Sequence, residues 1–175
     1  MSSIITNLLN KNLERKSLRT LSLNKESTKH KSSVLNLINS DKKCFDFDRL
    51  NQNNKSVDCL EFRNETYYFI EFKDERVYNF SHNWAKTMAI ISKVFQSMNE
   101  ILTLYINNEI PKNEFYDKKL KFIIVFSSLK STDFNDFRTL QIILTEKYGS
   151  ILDIDIVNET IFLNDYVNND KIGLD

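Results

Sequence analysis

Apolar residues along the chain follow two periods, and the change from one to the other marks its elements. Over residues 3–13 and 25–39 they recur at helical spacing, with Val34, Leu35 and Ile38 forming a stripe in the second tract. The RKSLRTLSLN stretch between them fits neither period. KKCFDFDRL alternates strictly, Phe45 and Phe47 to one side and Asp46 and Asp48 to the other, as a short strand does. SVDCLEFR and TYYFIEFKD read as strands over 56–63 and 66–74, joined by a turn at Asn64 and Glu65, where asparagine tolerates positive φ. Trp84, Met88, Ile91, Phe95, Met98, Leu102 and Tyr105 come next at steps of four and three, which predicts one long helix with a single buried face and Ser81 as its N-cap. After a loop holding Pro111, LKFIIVFSS is apolar without interruption, the pattern of a central strand covered on both faces. DFNDFRTLQIILTEKYG predicts a helix opened by Asp133 and closed by Gly149. ILDIDIV and TIFLNDYV then read as a terminal hairpin turning at Asn158 and Glu159.

This order predicts a mixed α/β domain whose central β-sheet is flanked by helices. A length of 175 residues fits one domain. We divide it into a basic helical N-terminal region (1–43), a core (44–130) that holds the two strands 56–63 and 66–74, and a C-terminal helix and β-hairpin (131–175). Asn-Glu-Thr followed by an apolar residue occurs at both Asn64 and Asn158, but the surrounding charges have no counterparts, so this is repeated turn chemistry and not a duplicated unit.

Formal charge sums to zero, which argues against bulk coating of nucleic acid. The charge is unevenly spread. Residues 1–43 carry nine Lys or Arg against three acids, so Arg15, Lys16 and Arg19 are candidate phosphate contacts, with a solvated basic segment as the plainer reading. The two cysteines, Cys44 and Cys59, are too few for a zinc or iron–sulfur site and read as buried cytosolic thiols. No apolar run reaches the roughly 18 residues of a membrane span, and the N-terminus lacks a signal pattern. The expected location is therefore cytoplasmic, without membrane contact, and the Asn-x-Ser/Thr matches at Asn64, Asn79 and Asn158 carry no glycosylation meaning.

One constellation stands out from the apolar strands. A two-residue turn at Asn64 and Glu65 puts Asp58 directly across from Glu71, and Lys73 shares their face. Like charges placed opposite each other destabilise a sheet by about 0.2 to 1 kcal/mol, and by more when buried, unless a cation or a proton lies between them. The three residues are thus either a site or a structural ion-pair cluster. Mg²⁺, which takes one or two carboxylates together with waters and phosphate, suits the acids, and Lys73 suits an attacking water.

An acid on one strand, followed on the next by Glu, any residue and Lys, resembles the signature of the PD-(D/E)XK nuclease superfamily. The order of helix, three strands, helix and strand resembles that family's restriction-endonuclease-like core. The resemblance implies a nuclease that hydrolyses DNA phosphodiester bonds with Mg²⁺ or Mn²⁺. Asp58 and Glu71 would be the metal ligands, the main-chain carbonyl of Phe72 a further ligand, and Lys73 the residue that assists water. Val57 stands where the family name has proline. Glu26 would match the helical acid of many members, with Glu14 next. His82 and Lys86, four apart at the start of the long helix, are further candidate phosphate contacts, against an ordinary solvated helix face. His30 reads as exposed, Trp84 as core, and Asp153 with Asp155 as the wet side of an edge strand. The alternative is a non-catalytic nuclease-fold module of a mobile element, defence or counter-defence system that binds nucleic acid or protein. The C-terminal hairpin would offer a homodimer edge.

Overall fold

The computed structural model describes residues 2–22, 37–47 and 56–174. Helix α1 (Ser2–Asn12) leads into strand β1 (Arg15–Ser17), a single turn α2 (Leu18–Leu21) and strand β2 (Lys43–Asp46). Strands β3 (Cys59–Arg63) and β4 (Thr66–Lys73) form a hairpin. Asn64 and Glu65 both take positive φ, 49° and 58°, as a tight turn that matches strand twist requires. A short turn α3 (Tyr78–Ser81) precedes the long helix α4 (Trp84–Asn107), and α5 (Asn113–Tyr116) precedes strand β5 (Lys119–Phe126). Helix α6 (Phe134–Tyr148), strand β6 (Asp153–Asn158) and α7 (Glu159–Ile161), which runs into a π-helical segment (Phe162–Asn168), complete the chain.

The six strands form one mixed sheet in sequence order. β1 to β4 pair antiparallel, while β5 runs parallel to both β4 and β6. Parallel neighbours need crossovers, and α4 and α6 supply them. Ile90, Ile91, Val94, Ile101 and Tyr105 of α4, Leu140 and Leu144 of α6, and Ile5, Leu8 and Leu9 of α1 all join one core on the same face of the sheet. Leu18, Ile38 and the C-terminal residues Phe162, Tyr166, Val167, Ile172 and Leu174 cover the other. β5 is consequently buried on both sides, which explains its unbroken apolar run: Phe122, Ile124 and Phe126 enter one core, Ile123 and Val125 the other.

Several expectations need correction. The C-terminal hairpin is absent: Asn158 accepts a hydrogen bond from the Ile161 N–H at 2.8 Å and so caps a helical turn instead of reversing a strand. Phe162, Tyr166 and Val167 then bury at steps of four and one, a helical face and not an alternating one. With no hairpin there, the proposed dimer edge has no such element to form it.

The buried stripe of α4 is centred on Thr87, Ile90, Ile91, Val94, Ser97, Ile101 and Tyr105, rotated from the expected one. Phe95, Met98 and Leu102 flank it half-buried, and Trp84 lies 44% exposed with the Lys147 ammonium 3.8 Å from its ring centre. Asn83, not Ser81, caps this helix, accepting from the Lys86 N–H. Cys44 and Cys59 are fully buried as expected but form a disulfide between β2 and β3, because Phe45 opposite Leu60 sets the two cysteines diagonally across that pair.

The second N-terminal helix, 25–39, falls mainly outside the described residues, and Leu37–Asn39 at its end are not helical. RKSLRTLSLN resolves into β1 and α2. Among the described residues no helix is long and apolar enough to cross a membrane.

The rotated stripe has a measurable consequence. Ile101→Ala should lower unfolding stability by about 2 to 5 kcal/mol in urea denaturation, while Leu102→Ala, one position off the stripe, should cost clearly less.

Candidate active site

The register Cys59 opposite Ile70 places Asp58 across from Glu71, as the turn requires. Bonded and non-bonded pairs alternate along an antiparallel ladder, and Arg63 with Thr66 beside the turn is a bonded pair. Asp58 and Glu71 therefore occupy a non-bonded position, where facing side chains come closest, and Val57 and Phe72 would be the next bonded pair.

Both bonds of that next pair are diverted to side chains. The Phe72 N–H donates to Asp58 Oδ2 at 2.8 Å, and the Val57 N–H donates to Ser97 Oγ at 3.0 Å. The ladder opens there, and the Phe72 carbonyl loses the donor that Val57 would have supplied. In an extended strand the N–H and C=O of one residue point to the same edge, so this carbonyl faces the Asp58 side. The Phe72 ring lies on the opposite face, in the second core.

Glu71 is fully buried. Its Oε1 accepts from Lys93 Nζ at 2.7 Å and pairs with the Lys73 ammonium at 2.5 Å, while its Oε2 is buried without a hydrogen-bond donor. Lys93 also stands 3.8 Å from Asp58 Oδ1, so its ammonium spans the two carboxylates. Lys73 ends β4, and its main-chain carbonyl accepts from the Ser127 N–H at 3.1 Å. Asp58, Lys73 and Lys93 each keep about a fifth of the side chain exposed (21%, 21% and 20%), so the cluster reaches solvent on one side.

Burial, and then the Glu71 charge, push the Asp58 carboxyl up to about 7; Lys93, the Phe72 N–H and Lys73 oppose that shift without cancelling it.

The three expected residues thus converge, with Lys93 of α4 as a fourth that the sequence reading missed. Lys93 lies two helical turns beyond Lys86, hence on nearly the same helix face, but that spacing alone does not turn the face toward the sheet. Lys86 itself pairs with Glu75, and His82 stacks on Tyr78 with ring centres 4.0 Å apart. Glu26 and His30 lie outside the described residues.

The basic N-terminal candidates are drawn into the sheet edge. Arg15 pairs with buried Glu61 at 3.0 Å and lies over the Phe45 ring, Lys16 pairs with buried Asp46, and Arg19 pairs with exposed Asp41 at 3.2 Å. On edge strand β6, Asp153 and Asp155 share Lys121, 2.8 Å from each.

Among the described residues no group of three or more His, Cys, Asp or Glu gathers to hold a metal ion. The donors at the cluster are two carboxylates and a main-chain carbonyl, all oxygen, and one carboxylate oxygen is buried and bare. That set fits a small hard cation that completes its shell with water and substrate. No family model, curated protein or solved structure matches the chain.

The raised Asp58 carboxyl predicts a direction with pH. In the unfolded chain an aspartate ionises near 3.9, whereas in the fold it keeps its proton to about 7, so between these values the folded state binds more protons. This group's contribution to stability is present at low pH and is lost as pH rises through 4 to 7. In chelator, the melting temperature of Asp58→Asn relative to wild type should therefore climb from pH 5 to pH 8; a constant difference would contradict the shift.

Proposed function

We propose that the protein is a metal-dependent nuclease of the PD-(D/E)XK kind, which hydrolyses DNA phosphodiester bonds at the Asp58, Glu71 and Lys73 cluster. The observation that carries the reading is the buried Glu71 Oε2, left without a donor beside a second carboxylate at an opening in the ladder. A buried bare carboxylate oxygen is costly in a finished ion-pair cluster and is what a cation site leaves behind.

Asp58 Oδ1, Glu71 Oε2 and the Phe72 carbonyl would hold Mg²⁺ or Mn²⁺. When bound, the ion supplies Lewis acidity and charge for the phosphate in flight. The protein's own residues do the rest. β4 holds Glu71 and Lys73 two residues apart on one face, so the Lys73 ammonium stands beside the acids and can orient an attacking water or hold its proton. The Phe72 N–H fixes the Asp58 carboxylate, leaving its other oxygen for the site.

Charge favours the same substrate. With both acids ionised, two carboxylates and two ammoniums sum to zero, and a dication leaves a surplus of two positive charges. A phosphodiester with an attacking hydroxide carries two negative charges, so the loaded site becomes neutral in the state that precedes bond cleavage. Duplex DNA is the first substrate to test. Arg15 and Lys16 are held by acids of the sheet, which weakens the case for them as phosphate contacts.

The same neutrality favours a second reading, a non-catalytic module of this fold that binds nucleic acid or protein, because two lysines already balance the acids without any ion. The two readings part on metal and cleavage.

In the nuclease reading, wild type cuts plasmid, linear or branched DNA in Mg²⁺ or Mn²⁺ and not in chelator, and both ions raise its melting temperature by mass action. Glu71→Gln should lose cleavage and the thermal response together. Lys73→Met should keep the thermal response while cleaving more slowly by roughly 10² or more, the usual contribution of a positioned proton-transfer group. If wild type neither cuts nor responds to either ion, the binding-module reading replaces it.

A further inference from the structure

Lys93 occupies an unusual place. It is the only one of the two lysines whose ammonium reaches both acids, at 2.7 Å from Glu71 and 3.8 Å from Asp58, while Lys73 pairs with Glu71. A hydrogen-bond chain fixes its backbone. The Val57 N–H donates to Ser97 Oγ, and Ser97 Oγ donates to the Lys93 carbonyl at 2.9 Å. Val57 and Ser97 are both fully buried. One serine thus ties the turn of α4 that carries Lys93 to the residue before Asp58. Placement this specific, on a different element from the strand lysine, calls for a role of its own.

We propose that Lys93 is a built-in counter-cation for the Asp58 and Glu71 acid pair, which a divalent metal ion must displace from between the carboxylates in order to bind. This rests on the metal-site reading above and goes beyond it. Two carboxylates facing each other in a non-bonded strand position need a cation or a proton between them. In the absence of metal the Lys93 ammonium supplies it, and the acids stay folded into the sheet without an ion. A single charge on a long flexible stem, a fifth exposed, can swing out to solvent more readily than a second backbone-anchored group. Metal affinity is therefore set low by design, and the displaced ammonium is left at the mouth of the site, on the side open to solvent.

The test is binding of Mn²⁺ alone, measured by calorimetry and by melting temperature, in wild type, Lys93→Met, Lys73→Met and Lys93→Arg. Removing the competing charge should tighten Mn²⁺ binding by Lys93→Met at least tenfold. Lys73→Met should gain less, because Lys73 does not bridge the acids. In chelator Lys93→Met should melt below wild type, since its acid pair has lost the bridging cation, and Mn²⁺ should raise its melting temperature more than it raises that of wild type. Lys93→Arg keeps the charge and can grip both carboxylates through a rigid fork, so it should bind Mn²⁺ more weakly than wild type; this arm decides the matter if Lys93→Met does not fold. Equal affinity in wild type and Lys93→Met, a gain in Lys73→Met as large as in Lys93→Met, or unweakened binding by Lys93→Arg each overturns the counter-cation role while leaving the metal site standing. Absence of Mn²⁺ binding in all four proteins overturns the metal site itself, and this proposal with it.

Discussion

A fully buried carboxylate in the middle of a sheet organises this molecule. Glu71 lies in β4, flanked by β3 on one side and β5 on the other, under the helix layer that α4 and α6 lay across the face. An isolated charge there would be strongly unfavourable, so the surroundings must bring it partners. One ammonium comes from the same strand, two residues on, and another from the crossover helix. The phase of α4 on the sheet, the opening of the β3–β4 ladder and the tie through Ser97 all bear on where those partners sit. Site and fold are in this sense one arrangement: the crossover that makes β4 and β5 parallel is also what delivers Lys93.

The legible parts were those fixed by local rules. Strand parity and a two-residue turn determine register without any tertiary knowledge, which is why Asp58 and Glu71 could be placed opposite each other from spacing alone. The unbroken run of β5 likewise encodes cover on both faces. The phase of a helix against a sheet is different. Periodicity along α4 defines a broad apolar sector, since Met88, Phe95 and Leu102 are as apolar as Ile90, Val94 and Ile101, and packing chooses the centre of that sector. A polar residue at its margin, such as Lys93, can then face water or the sheet, and the chain alone does not say which.

Two other misreadings share a cause. Asn-Glu-Thr serves as a hairpin turn at Asn64 and as a helix cap at Asn158, because asparagine both tolerates positive φ and offers a short side-chain acceptor. The downstream segment decides between these uses: TYYFIEFK continues as β4 beside two neighbours, whereas IFLNDYVN folds back over β5 and β6, where Tyr166 donates to Asp155. The cysteines, 15 residues apart, gave no local sign of pairing; only the β2–β3 register brings them together. In the basic N-terminal stretch, Arg15 and Lys16 pair with Glu61 and Asp46, acids distant in sequence and buried in the sheet, so the local charge count does not show where those cations are held.

The central question is whether a cation enters between Asp58 and Glu71. Crystals of the wild-type protein soaked in Mn²⁺, with data collected at the manganese absorption edge, test this directly. A metal site here gives an anomalous peak within coordination distance of Asp58 Oδ1, Glu71 Oε2 and the Phe72 carbonyl, with the Lys93 ammonium moved away from the carboxylates. No peak at these oxygens at saturating Mn²⁺, with Lys93 still bridging the pair, would contradict it and leave the cluster as a self-neutral ion-pair network.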